Sequence, residues 1–180
     1  GAEALDAAKV YDGQGTGVVV RVADGVSGAS VRYYAADPAG GGIASDSPIL
    51  YTNVCATSVW YVVSVPNHTP YTNSASVTIT RRAVSLTSPD KSKVFDGGAL
   101  TFGAGEVAVS NMAPGEAFAL GSFASITSVG EVAASFDYAD SATALVSNYD
   151  VSVKLGTLSV TPAAVVPGDV ISGGAETLDV

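Results

Sequence analysis

A five-residue phrase occurs twice in this chain, as Lys9-Val10-Tyr11-Asp12-Gly13 and as Lys93-Val94-Phe95-Asp96-Gly97, with Lys9 and Lys93 84 residues apart. In 180 residues that spacing leaves room for two tandem modules of one general kind. Each copy reads as the end of a strand followed by a turn. Glycine tolerates a positive φ there, and the aspartate can bond its own backbone. Modules of this size stand near the lower limit at which a hydrophobic core suffices without staples. Staples are not expected, because Cys55 is the only cysteine and His68 the only histidine, too few for an internal disulfide or a structural zinc site.

Hydrophobic residues make up 47% of the chain, mostly Ala and Val interleaved with Ser and Thr, which is the pattern of half-buried strands and not of amphipathic helices. Glycines and prolines punctuate these runs as turns. The formal charge of −9 repels phosphate backbones and anionic lipid headgroups, so neither nucleic acid nor membrane is an expected partner. No apolar run has the length of a membrane-spanning helix, and Gly1-Ala2-Glu3-Ala4 has no signal-peptide character; a mature chain or an excised fragment is expected.

Strands are predicted at Val18 to Ala23, with Val18, Val20 and Val22 on one face, and at Ser30 to Tyr34. Ala35 to Pro48, with three consecutive glycines, reads as a long loop. Thr57 to Val65 is the strongest strand and is expected to be central: Val59, Tyr61, Val63 and Val65 alternate with Ser58, Trp60, Val62 and Ser64. Ala75 to Thr80 returns as a clean alternation. Arg81-Arg82 stands at the expected module boundary, and Ala83 to Thr87 resumes alternation at once, so the joint should be short and stiff. In the second half, strands are predicted at Lys93 to Phe95, Leu100 to Phe102, Glu106 to Val109, Phe118 to Ile126, Val132 to Tyr138, Val151 to Val153 and Leu155 to Val160. The tail from Ala163 to Val180 should be poorly ordered or lie along a sheet edge.

No set of residues announces a reaction. Gly13-Gln14-Gly15-Thr16-Gly17 precedes a strand, where a nucleotide-binding turn needs a helix, and is read as a hairpin loop. His68 lies between two prolines and no nucleophile elbow exists, so catalytic residues, cofactors and metal ligands are all expected to be absent. Asp137 with Asp140, and Asp37 with Asp46, read as solvated turn acids. Cys55 reads as a small buried filler, and Lys9 and Lys93 as solvent-facing residues at strand starts. The aromatics Tyr33, Tyr34, Trp60, Tyr61 and Tyr71 could form a sugar-stacking platform. Alternation places Tyr61 in the core and Trp60 on the other face, which leaves Trp60, Tyr34 and Tyr71 as the candidate ligand-binding residues.

The Lys-Val-Tyr-Asp-Gly phrase, Val59-Trp60-Tyr61-Val62-Val63 before Pro66-Asn67-His68, and Val77-Thr78-Ile79-Thr80-Arg81-Arg82 resemble the mostly-β, glycine-rich (MBG-type) and bacterial immunoglobulin-like tandem repeats of Gram-positive cell-surface, adhesin-like proteins. The second half is similar to a companion repeat, through Ala83-Val84-Ser85-Leu86-Thr87, Lys93 to Gly97, Ser147-Asn148-Tyr149 and Gly156 to Thr161. The resemblance implies a stalk or spacer, extracellular and attached to the cell surface or wall, whose partners are adjacent repeat modules of the same chain.

The expected fold is therefore all-β: two tandem immunoglobulin-like β-sandwich modules, residues 1–81 and 82–162, with 163–180 a linker or tail toward a following module. The alternative is a β-grasp-like module, which needs a helix across one sheet, and no segment here has a helical period. The predicted core comprises Val10, Val20, Val22, Val31, Tyr61, Val63, Val77 and Ile79 in the first module, and Val84, Leu86, Phe95, Leu100, Phe136, Val151, Leu158 and Val160 in the second. The expected function is a monomeric, non-enzymatic stalk. The alternative is an adhesive module that binds host glycan or protein through the loops of the first module.

Overall fold

A computed structural model describes residues 2–24 and 26–165. The expectation for the tail lies outside the described residues beyond Val165. The fold is all-β, with several sheets and no α-helix among the described residues, so the helix that a β-grasp module needs is not there. Contacts group the chain into two compact units. Among the described residues, one holds the chain up to Leu86 together with Val109–Ala119 and Tyr138–Val153; the other holds Thr87–Ala108, Leu120–Asp137 and residues 154–165. Arg81 and Arg82 both fall inside the first unit.

The first unit begins with strands β1 (Ala2–Ala4), β2 (Ala7–Val10), β3 (Val20–Val22), β4 (Ser30–Tyr34), β5 (Ala44–Ser45), β6 (Cys55–Ser64) and β7 (Tyr71–Thr80). Five of them form one sheet in the order β2-β7-β6-β4-β5, which puts β6 at its centre, as its long Val-rich alternation requires. Val59, Tyr61 and Val63 point inward from β6 and face Ala75 and Val77 of β7; Ser58, Trp60, Val62 and Ser64 point outward. Strands β1 and β3 pair with each other, and Val20 with Ala2, Ala4 and Val22 packs on that inner face. Val18, just ahead of β3, is fully buried in the same cluster. The Val20 N–H donates to the Tyr33 hydroxyl at 3.2 Å, so a side chain of the large sheet satisfies a backbone group of the small one.

The repeated phrase has one defining role in this topology. β2 runs parallel to β7, with Ala7 opposite Val77 and Val10 opposite Thr80. In the second unit β9 (Lys91–Val94) runs parallel to β17 (Thr157–Thr161), with Lys91 opposite Leu158 and Val94 opposite Thr161. Each copy of the phrase thus begins on a strand that pairs in parallel with one about seventy residues further along the chain.

The remaining strands are short: β8 (Arg82–Thr87), β10 (Leu100–Thr101), β11 (Ala108–Ser110), β12 (Ala119–Gly121), β13 (Ser125–Ile126), β14 (Gly130–Ala133), β15 (Asp137–Ala139) and β16 (Tyr149–Lys154). They form the sheets β11-β8-β16, β14-β17-β9, β10-β13 and β12-β15. In the second unit Leu100, Phe102, Val107, Ala134, Phe136, Leu158 and Val160 are buried. Phe102 meets Phe123 and Phe136 edge to face, with ring centroids 5.2 and 6.4 Å away. Ser88, buried, accepts the Gly156 N–H on its hydroxyl at 2.9 Å.

Several expectations need correction. Phe118 to Ile126 and Val132 to Tyr138 are not continuous strands. Each changes partner midway, β12 and β15 pairing together while β13 pairs with β10 and β14 with β17, and Ser122 at φ 52° turns the first of them. Glu106 belongs to a 3₁₀ turn, Ala104–Glu106, and the strand starts only at Ala108. Val10 and Phe95 are exposed and not core. On β2 it is Tyr11, one position on, that turns inward, so Val10 faces out. Lys9 and Lys93 are mostly covered, each drawn back over its own turn. Lys9 Nζ donates to Asp12 Oδ1 at 2.5 Å and to the Gln14 carbonyl, and Lys93 Nζ donates to Asp96 Oδ1 at 2.6 Å and to the Gly98 carbonyl at 2.5 Å. The lysine, then the Gln14 and Gly98 N–H groups respectively, hold the Asp12 and Asp96 carboxyls below their ordinary value.

Gly13 to Gly17 is not a hairpin loop either, because the strands on its two sides pair elsewhere, β2 with β7 and β3 with β1. The segment instead crosses between sheets and is held by two backbone bonds between Thr16 and Tyr51, at 2.9 and 2.8 Å. A Cβ on Gly17 would lie 2.2 Å from the Ile49 carbonyl oxygen, a backbone atom that cannot swing away. Gly17→Ala should therefore destabilise the first unit by about 2–3 kcal/mol. Urea denaturation followed by the single tryptophan, Trp60, measures this directly.

Candidate functional site

The three residues proposed from sequence for ligand binding do not share a face. Tyr34 and Trp60 are directly opposite each other on β4 and β6 and project from the outer face of the five-stranded sheet, half-buried. Around them on that face stand Ser58, Ser74 and Ser76 on one side and Arg32, Val62 and Thr72 on the other. Tyr71 pairs with Val63, so alternation puts it on the inner face of the sheet, at the exposed start of β7. Its ring approaches Tyr61 at 6.4 Å, and its hydroxyl accepts from Asn73 Nδ2 at 2.9 Å. There Tyr71 borders an open, mostly apolar cleft of about 730 Å3 with Val22, Val26, Val63, Pro66 and His68. His68 Nδ1 is 2.9 Å from the Pro66 carbonyl oxygen. The cleft has an apolar wall with Ser27, Thr69, His68 and the Tyr71 hydroxyl at its polar edge, and no Asp, Glu, Lys or Arg among its described lining residues.

Of the acids read as solvated turn acids, Asp37 and Asp140 accept nearby backbone N–H groups and Asp46 meets an arginine. Asp37 Oδ1 accepts from the Ala39 N–H at 2.8 Å, Asp140 Oδ1 from the Val146 N–H at 2.6 Å, and Asp46 meets Arg32 Nε at 3.2 Å. Among the described residues no group of three His, Cys, Asp or Glu side chains could hold a metal ion. Cys55 is half-buried at the edge of the β6 core, opposite Ile79.

The densest polar arrangement lies elsewhere, around Glu116. Tyr11, from the repeated phrase, donates its hydroxyl to Glu116 Oε1, and Tyr149, at the start of β16, donates to Glu116 Oε2; both bonds are 2.6 Å. The Tyr149 hydroxyl also accepts the Ala113 N–H at 3.2 Å. The two tyrosine rings meet edge to face at 5.3 Å, and Phe118 sits edge-on against Tyr149 at 5.2 Å. Beside them the buried Asn148 amide accepts the Val54 N–H and donates to Asn53 Oδ1, each at 3.0 Å. Arg82 donates to the Asn111 carbonyl at 2.6 Å and to the Tyr11 carbonyl at 3.4 Å. All these residues belong to the first unit, where the segments 109–119 and 138–153 are thereby fastened onto the end of β2 and the β6–β7 core. No buried side-chain nitrogen or oxygen is left without a partner among the described residues.

Chemically this is a brace. Burial first, and then the Glu116 carboxylate, push the Tyr11 and Tyr149 phenols up to about 12. A catalytic acid or base works best with its pKa near the working pH, and both phenols move away from it. Sequence reading did not find Glu116 or Asn148. Glu116 follows a Pro-Gly turn with no periodic signal, while Tyr149 stands in a phrase whose resemblance gave it no role. The only available hint was the aromatic shared by the two copies of the repeated phrase.

A scan against protein-family models finds no match for this chain, and a search of curated proteins finds none either.

Glu116→Ala should cost about 2–4 kcal/mol, since it removes two charge-assisted hydrogen bonds and leaves two phenols without their acceptor. The pH dependence has a definite sign. Phenols raised above their ordinary 10.0 contribute stability that is fully present below pH 10 and is lost as pH rises through about 12. Alkaline denaturation of the wild type should steepen in that window, and in Glu116→Ala, whose phenols are raised less, the pH-dependent loss should be smaller and end at a lower pH; tyrosinate absorbance and Trp60 fluorescence, recorded together, check both.

Proposed function

We propose that this chain is a pair of non-catalytic spacer modules, immunoglobulin-like in architecture, from a stalk of a bacterial cell-surface protein. On this reading it is extracellular, held at the cell surface or wall, monomeric, and flanked by adjacent modules of its own polypeptide. The observation that carries the proposal is the parallel pairing of β2 with β7 and of β9 with β17. Both strands of each pair lie near opposite ends of their repeat's sequence. A pull along the chain therefore loads the ladder's hydrogen bonds in shear, all at once, where a hairpin would open them one by one. The Glu116 brace supports the same reading, because it joins segments from both halves of the sequence with charge-assisted bonds.

Single-molecule stretching tests this reading. Lys9→Pro removes the N–H that Lys9 turns toward β7, on the same side as the Tyr11 N–H bonded to Thr80, and the unfolding force of the first unit should fall sharply, whereas Lys9→Ala, which loses only the side-chain contacts with Asp12 and Gln14, should keep most of it. An unchanged force would mean that the parallel ladder bears no load. A spacer also has to reach, so the radius of gyration should exceed the roughly 16 Å of a single compact globule of this length.

The opposed Tyr34 and Trp60 favour one second reading, an adhesive module that takes host glycan or protein on its outer sheet face and the neighbouring Ala35 to Pro48 loop. A glycan array discriminates. A spacer binds nothing in either form, whereas adhesion appears as binding that Trp60→Ala abolishes.

A further inference from the structure

The repeated phrase is built the same way in both repeats, yet its aromatic is covered in only one. Tyr11 N–H donates to the Thr80 carbonyl at 2.9 Å, and Phe95 N–H donates to the Thr161 carbonyl at 2.8 Å. Each phrase has its lysine folded onto its aspartate, and its glycine is left-handed, at φ 77° for Gly13 and 79° for Gly97. Tyr11 is 5% exposed, under Ala113, Glu116 and Tyr149. Phe95, in the matching slot, is 42% exposed.

What covers Tyr11 comes from chain that follows the closing strand of its repeat. A second echo in the sequence marks the corresponding place after Phe95's closing strand. Thr80-Arg81-Arg82-Ala83-Val84 is matched by Thr161-Pro162-Ala163-Ala164-Val165, with Thr, Ala and Val in the same positions. Val84 is 3% exposed in β8, whereas Val165 is 75% exposed.

We infer that the Phe95 face is the docking surface for a further β module of the second repeat's kind, following Thr161 in the same polypeptide. The inference rests on the spacer reading and adds to it the surface on which the next module sits. Phenylalanine has no hydroxyl to offer, so a carboxylate placed over it as Glu116 is placed over Tyr11 would be covered without that donor. The docking loop therefore carries an apolar residue where the second repeat carries Glu116. Its aromatic packs against the Phe95 ring as Tyr149 packs against Tyr11.

The test extends the chain, joining residues 1–161 directly to a second copy of residues 81–180. In one form the added copy carries Glu116→Leu; in another the added copy is unchanged and the first carries Phe95→Tyr, which restores the hydroxyl that Glu116 accepts. Attenuation of the ring-proton signals at position 95 of the original segment, with the added copy's own Phe95 ring deuterated by segmental labelling, by a soluble gadolinium chelate is compared with that of Tyr11 in the same spectrum. In the original chain position 95 should be attenuated several-fold more than Tyr11. In both extended forms it should fall to the Tyr11 level. If position 95 stays as accessible in both extended forms as in the original chain, the docking surface is refuted. Scattering from the same samples separates the two ideas. Growth by one module's length with position 95 still open leaves the spacer reading intact, while a compact particle sinks the spacer reading whatever position 95 does.

Discussion

Parallel pairing of β2 with β7 and of β9 with β17 constrains most of what surrounds it. A parallel partner cannot be reached by a hairpin, so the chain must leave β2 and cross to another sheet before returning. The phrase supplies that departure: an aspartate that caps the N–H two residues on and a glycine at positive φ, with the lysine folded back onto the aspartate. The same need to cross puts Gly17 against the Ile49 carbonyl, where a side chain has no room. In the second unit Gly156 stands 2.3 Å, measured from an ideal Cβ, from the Pro89 carbonyl oxygen, ahead of the strand that closes that repeat.

The brace around Glu116 shows how a small β unit can fasten loops without a disulfide or a metal. Aromatic rings supply the buried area, and the carboxylate supplies direction. Two phenols meeting one carboxylate, each at 2.6 Å, specify a single arrangement of Tyr11 and Tyr149. A purely apolar contact of the same area would tolerate sliding. Asn148 does similar work on the backbone of Val54, so that residues distant in sequence are tied through polar atoms with complete partners.

Much of the first half was legible because its strands are long and strictly alternating. The order of faces on β6, Tyr61 in and Trp60 out, follows from period two alone. The same rule separates Tyr71 from Trp60 and Tyr34 once the β6–β7 register is known, and register is what a single strand does not disclose. The second half was harder. Phe118 to Ile126 looks like one strand because hydrophobic pattern does not register the left-handed Ser122, after which the chain changes partner. Val10 and Phe95 were misplaced because a strand end has no alternation beyond it to fix parity. Glu116 was invisible for a different reason: its partners lie 105 and 33 residues away, and a lone acid after a turn looks like any solvated carboxylate.

The parallel ladders also set an order of events. Ala7 finds its partner at Val77, and Lys91 finds its partner near Leu158. For a chain that emerges N-terminus first, whether from a ribosome or through a translocation pore, β2 and β9 have nothing to pair with until about seventy residues more have followed each of them. Each ladder therefore latches late and from its C-terminal side. Until then Tyr11, buried once its ladder has closed, remains open to solvent and to chaperones.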